Sequence, residues 1–143
     1  VKMTASPRVL YTRETSLDVA EFKQVLIESG LGASRPVSDD KRLSDMINGS
    51  NLILTARLNQ PSRRLLGVAR GITDFVWCCY LSELAVSASA QGLGVGRALL
   101  KEVKQQLGPS VSLILASVPQ ATGFYERNGM ERISDAFWFR RKH

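Results

Sequence analysis

Residues 91–97 read Gln-Gly-Leu-Gly-Val-Gly-Arg and stand between an apolar, strand-like run and an amphipathic helical pattern. Glycine turns the chain tightly and leaves its N–H groups unobstructed. The start of a helix adds unpaired N–H donors and the positive end of the aligned peptide dipoles. A loop of this composition opening a helix is therefore suited to phosphate groups. Spacing separates the known arrangements. A P-loop requires Lys and then Ser or Thr after its last glycine, whereas Arg97-Ala98 follows here. The dinucleotide pattern G-x-G-x-x-G, counted from Gly92, requires glycine where Arg97 stands.

The flanking pattern is α/β. Residues 8–13 (RVLYTR) are β-prone and read as a first strand. Asp18 caps a helix over 19–29, with Val19, Phe22, Leu26 and Ile27 on one stripe and Gly30 as its stop. Residues 31–38 form a loop, and 39–48 a second short helix with Leu43, Met46 and Ile47 on one side. Strands follow over 51–58, 64–72 and 75–86, with turns at 59–63 and at Thr73-Asp74. The third of these is the most apolar and is expected to be central. Beyond the glycine loop, 97–107 is helical and 111–116 is a short buried strand. Residues 119–128 form a helix with Pro119 in its first turn and Gly129 at its end. Residues 130–141 are expected to be a final strand ending in Phe137, Trp138 and Phe139. The order β-α-α-β-β-β-α-β-α-β predicts one domain over 1–143. It is an α/β (α+β) fold with a mostly antiparallel mixed sheet of about six strands, flanked by about four helices. The two strands joined through the helix 97–107 should run parallel. Antiparallel order before the loop also argues against a doubly wound dinucleotide fold.

Charge supports an anionic ligand. Nineteen Lys and Arg against thirteen Asp and Glu give a net charge of +6. A basic chain suits nucleic acid, an anionic membrane or an anionic small ligand. The cations are dispersed, apart from Arg140, Arg141 and Lys142, and no zinc-finger or RNA-binding aromatic signature accompanies them. Neither nucleic acid nor a membrane is therefore an expected partner. No apolar run approaches the roughly 20 residues that span a bilayer. Residues 1–7 lack a long apolar stretch, so a secretory signal is not expected and a cytoplasmic location is. Cys78 and Cys79 are adjacent; on a strand they point to opposite faces, which disfavours a disulfide between them. They do not make a zinc-type spacing, and the single histidine is His143, so no metal site is expected.

Gln91-x-x-Gly94-x-Gly96 resembles the pyrophosphate loop of the GCN5-related N-acetyltransferase (GNAT) superfamily. Leu84-Ala85-Val86 looks like the end of that family's fourth strand, and Phe124-Tyr125-Glu126-Arg127-Asn128-Gly129-Met130 like its C-terminal segment. The element order matches nearly end to end. The resemblance implies acetyl-CoA as co-substrate, lying in a V-shaped split between the strand ending at Val86 and the strand 111–116. Its pantetheine arm would pair with the backbone of Leu84, Ala85 and Val86 as an added strand does. Its pyrophosphate would rest on the amides of Gln91, Gly92, Leu93, Gly94, Val95, Gly96 and Arg97, with Lys101 and Lys104 on the adenosine side. Many relatives carry an Asn shortly after the fifth strand; Ser117-Val118-Pro119 stands there in this chain.

The resemblance also implies the chemistry, an N-acetyltransferase whose acceptor amine attacks the thioester directly. The acceptor is expected to be the primary amine of a small molecule, an arylalkylamine or a polyamine, contacted by the loop 31–38, the second helix and Phe137–Phe139. Tyr125 would protonate the departing thiolate. Glu83, the one carboxylate in the central strand, would activate the amine or bind the substrate; the alternative is a structural carboxylate with water as the base. Acetylation of protein lysines or N-termini, and acyl-CoA sensing without turnover, are the competing readings. A homodimer would use the last strand as its contact edge.

Overall fold

The computed structural model of the chain describes residues 3–5 and 8–143, the first three by their backbone alone. The reading of 1–7 as free of a secretory signal falls largely outside the described residues.

Local sequence explains the first helices. Helix α1, Val19–Ser29, starts where the Asp18 carboxylate accepts the Glu21 N–H at 3.0 Å. It stops where Gly30 turns left-handed at φ 89°. Helix α2, Asp40–Asn48, is capped in the same way by Asp39, which accepts the Arg42 N–H at 3.0 Å. A short 3₁₀ turn, Leu31–Ser34, lies between them.

Six strands form one sheet in chain order: β1 Met3–Ala5, β2 Val9–Glu14, β3 Leu52–Leu58, β4 Leu65–Thr73, β5 Cys78–Val86 and β6 Ser112–Ile114. Every neighbouring pair is antiparallel except β5 and β6, which run parallel through helix α3, Val95–Leu107, as the sequence order predicts. Helices cover both faces. Leu99, Leu100, Val103 and Leu107 of α3 pack with Leu54, Ala56, Ala69, Cys79 and Leu81 on one face. Phe22, Val25 and Leu26 of α1, with Leu43 and Ile47 of α2, pack with Ile53, Val68 and Ala85 on the other. No described helix is long and apolar enough to cross a membrane.

The sheet departs from the sequence reading in three places. Residues 130–141 were expected to be the last strand, and they pair with nothing in the sheet. Phe137, Trp138 and Phe139 are 93%, 71% and 105% exposed. Three consecutive aromatics followed by three cations carry no period-two pattern, so no face of this segment is specified for burial. The sixth strand is instead β1. The segment 75–86 also begins its strand late, at Cys78. The Asp74 carboxylate accepts the N–H groups of Val76, Trp77 and Cys78 at 2.8, 2.8 and 3.1 Å and so holds 75–77 in the turn. β5 lies last but one in the sheet, between β4 and the three-residue β6, rather than at its centre.

Candidate active site

The parallel ladder of β5 with β6 covers only Cys78, Tyr80 and the residue between them, opposite Ser112, Leu113 and Ile114. β5 continues to Val86, while β6 ends at Ile114. Residues 81–86 of β5 therefore present a backbone edge to which no described strand is bonded. The opening lies beyond this point of divergence. A bulge shapes its floor: Glu83 pairs with Arg70 and Leu81 with Gly71, so Ser82 has no partner of its own. Cys79 and Leu81 join the core beneath α3, but Ala85 joins the core beneath α1 and α2, and Leu84 and Val86 return to the α3 side. The extra residue flips the strand's faces, and it sends Glu83 toward α1 and α2.

The glycine loop closes the far end of this opening. Gly92 and Gly94 adopt φ 85° and 78°, the left-handed region that L side chains rarely visit. Gly94 is the N-cap of α3 and offers no side chain to its first turn, so the leading N–H groups have no cap. The Gln91 amide donates to the Val86 carbonyl at 3.1 Å, tying the loop to the end of β5. Gln91, Gly92, Leu93, Gly94 and Arg97 are exposed, Gly96 is half-buried and Val95 is anchored in the core. Uncapped N–H donors, backbone free of side chains and an adjacent exposed Arg97 fit a pyrophosphate. The edge at Leu84, Ala85 and Val86, to which no described strand is bonded and where the Gln91 amide takes the Val86 carbonyl, fits an extended arm. Among the described residues, no group of His, Cys, Asp and Glu is placed to hold a metal.

Tyr125 comes from helix α4, Thr122–Arg127, which a 3₁₀ turn beginning at Pro119 introduces. The Phe124 ring rests on Gly96 of α3 and meets the Tyr125 ring edge-on, with centroids 5.1 Å apart. α4 is thereby fixed to the start of α3. Tyr125 is half-buried, and its hydroxyl bonds to no other described residue. Burial pushes the phenol up from its usual range, and the Arg35 charge partly offsets this. A phenol that keeps its proton at neutral pH is available as a proton donor.

Glu83 lies where the sequence reading placed it, on β5 beside the opening, and its carboxylate is fully occupied. One oxygen accepts from Arg70 Nε. The other accepts from Arg35 Nε at 2.7 Å and from the Ser82 hydroxyl at 2.7 Å. Its side chain is 0% exposed. Burial raises its pKa, but the Arg70 bond and charge, with Arg35 and Ser82, outweigh burial and hold the carboxyl below the usual carboxylate range. Such a group is a weak proton acceptor at neutral pH. Arg70 also donates to the Met46 carbonyl at 3.0 Å and Ser50 Oγ at 2.8 Å, at the end of α2. Arg35 donates to the Ser82 carbonyl at 2.7 Å.

Neither arginine was foreseen. Arg70 had a signal: it is the one charge in β4, as Glu83 is in β5, and a hairpin sets the two side by side. Arg35 had none, because its partner lies 48 residues away in a loop-to-strand contact. Phe137–Phe139, expected at the acceptor site, stand exposed on the tail.

Residues 27–140 match the acetyltransferase (GNAT) domain family. The chain belongs to the GNAT acetyltransferase family. It is 30% identical over 125 residues to a chloroplastic serotonin N-acetyltransferase 2 of Oryza sativa subsp. japonica, covering 85% of this chain and 60% of that protein. The chain thus spans about three fifths of that relative's length. An acetyltransferase of the GNAT family from Streptococcus pneumoniae has the same fold, with a TM-score of 0.73, 18% identity and coverage of 94% and 99% of the two chains. A metagenomic aminoglycoside acetyltransferase, solved with trehalose, has a TM-score of 0.68 at 18% identity, covering 94% and 97%.

Proposed function

We propose that the protein is an N-acetyltransferase that moves the acetyl group of acetyl-CoA to the primary amine of a small arylalkylamine. The observation that carries the reading is the uncapped start of α3 behind Gly94, which the Gly96–Phe124 contact joins to the helix carrying Tyr125 and the Gln91 amide ties to the end of β5. The relative at 30% identity, named for serotonin, supports the acceptor class. Acetyl-CoA supplies an activated acetyl group on a thioester.

The residues divide the remaining work. Residues 91–97 hold the pyrophosphate on backbone N–H groups, and Leu84, Ala85 and Val86 hold the arm by strand-like bonds. A backbone N–H of the same edge polarises the carbonyl, as an oxyanion site does. Tyr125 gives its proton to the sulfur as charge builds there. Glu83 is a positioning residue: it ties the loop at Arg35 to β4 and β5, and water receives the amine's proton.

The test is thiol release from acetyl-CoA by purified protein. Saturable release with 2-phenylethylamine or tryptamine is expected, above that with a lysine-containing peptide. Release with the peptide alone would make the protein a protein acetyltransferase. Tight acetyl-CoA binding without release for any amine would make it a sensor.

A further inference from the structure

At the inner end of the opening, two guanidinium groups, Arg35 and Arg70, meet the single carboxylate of Glu83. The cluster carries an uncompensated positive charge, and its members are largely cut off from water: the side chains of Arg70 and Glu83 are 5% and 0% exposed. The excess charge sits on the Arg35 side. Arg70 is enclosed by Glu83, the Met46 carbonyl and Ser50. Arg35 is 20% exposed. Its Nε donates to Glu83, its Nη1 to the Ser34 carbonyl and hydroxyl, and its Nη2 to the Ser82 carbonyl. A guanidinium has five N–H donors, so one Nη2 hydrogen is left without a partner among the described residues. The charged and titratable groups facing it are Glu83 on β5, Arg70 on β4 and Tyr125 on α4, whose phenol feels the Arg35 charge.

An acceptor amine with a solution pKa of about 10 arrives as an ammonium. It must shed a proton before its lone pair can attack, and the one buried carboxylate in the opening has both oxygens in use. A cation beside an ammonium favours the neutral amine, because like charges disfavour the charged form. Low local polarity strengthens this repulsion.

We propose that Arg35 is a specificity-determining residue whose charge holds the bound acceptor amine in its neutral form, in place of a general base, and turns away acceptors that carry a second ammonium. This rests on the reading of the opening as an amine-acetylating site. In the balanced step, the ammonium gives one proton to water and the nitrogen forms its bond to the acetyl carbon. The carbon–sulfur bond breaks, sulfur takes a proton from Tyr125, and the second proton leaving nitrogen restores the phenol.

The test uses Arg35→Gln and Arg35→Lys with 2-phenylethylamine. Removing the cation weakens both acids, the bound ammonium and the Tyr125 phenol. Both limbs of the kcat profile should therefore move to higher pH in the Gln variant, by roughly one unit, and stay in place in the Lys variant. Without any acceptor, the Tyr125 signal in ¹³C-tyrosine NMR, identified by its loss in Tyr125→Phe, should titrate higher in the Gln variant. The preference for 2-phenylethylamine over 1,3-diaminopropane should shrink about tenfold. A Gln variant with lower kcat but unmoved profile and phenol would show that Arg35 merely ties the loop down, and would overturn the proposal. So would a Lys variant that shifts as far as the Gln variant. If the wild-type protein releases no CoA with any amine, the acetylation reading fails and takes the proposal with it; turnover with unmoved profiles sinks the proposal alone.

Discussion

The Phe124 ring lies against Gly96, so closely that a Cβ on residue 96 would stand 3.3 Å from Cζ and 3.4 Å from Cε1 of that ring. Residue 96 belongs to the first turn of α3, beside the proposed pyrophosphate site, and Phe124 precedes Tyr125 on α4. The contact thus couples the glycine loop to the proposed acid.

Gly96→Ala tests this coupling. Alanine favours a helix over glycine by about 1 kcal/mol, while crowding a packed contact costs about 1–3 kcal/mol. The net cost is then between zero and about 2 kcal/mol, so the melting temperature should fall by no more than several degrees. The Phe124 ring must still move, and Tyr125 with it. Turnover should fall clearly more than stability. Thermal melts and thiol release on one preparation check this; full activity would show that the ring yields without moving Tyr125.

Gly94→Asp should abolish acetyl-CoA binding and leave the fold in place. A Cβ there meets nothing within 4 Å, so no clash arises, although φ 78° costs an L residue roughly 1–2 kcal/mol. The new carboxylate would sit where a pyrophosphate is proposed to rest. Gly94→Ala, with the same strain and no charge, is the control and should keep most of the affinity. Calorimetry with acetyl-CoA distinguishes them; equal affinities for wild type and Asp variant would remove this loop from the site.

Glu83→Gln should be costly to stability. Removing one partner of a buried ion pair typically costs about 3–5 kcal/mol, and here it leaves Arg70 buried without its countercharge. The pH dependence has a definite sign. The Glu83 carboxyl is held below its ordinary range in the folded state. It therefore contributes stability that is present above the unfolded pKa, about 4.3, and is lost as pH falls through the folded value. Melts between about pH 2 and pH 7 should show a steep acid decline in wild type that the Gln variant flattens. Parallel curves would mean that Glu83 contributes little to acid sensitivity.

Local rules made much of the fold legible. The bounds of α1 were readable because Asp18 and Gly30 mark both ends chemically. The parallel β5–β6 pair followed from the helix between them. The glycine loop declared itself because its conformational demand admits few other residues. What was missed depends on pairing rather than on pattern. The Ser82 bulge is invisible in an apolar run, yet it decides which way Glu83 faces. Arg35 looks like any loop arginine until the chain folds it onto Glu83. The tail 130–141 read as a strand, but three consecutive aromatics followed by three cations give no alternation that sets one face toward the core.

Tyr125→Phe isolates the proposed proton donor. The Phe124 contact is edge-on between rings and does not involve the hydroxyl, so packing of α4 should survive. The hydroxyl bonds to no other described residue, so its loss leaves no protein group unsatisfied, and the melting temperature should hold. The expected change is in kcat, by roughly 10²–10⁴-fold, the usual worth of a positioned acid. KM for the amine should move little, because the hydroxyl acts only as charge gathers on sulfur. Burial raises the Tyr125 pKa, so wild-type turnover should persist into alkaline pH and fall only when the phenol ionises. That alkaline fall should vanish in the Phe variant. Unchanged kcat would make Tyr125 a packing residue and leave water to protonate the thiolate; a collapse in acetyl-CoA affinity would make the hydroxyl a binding group.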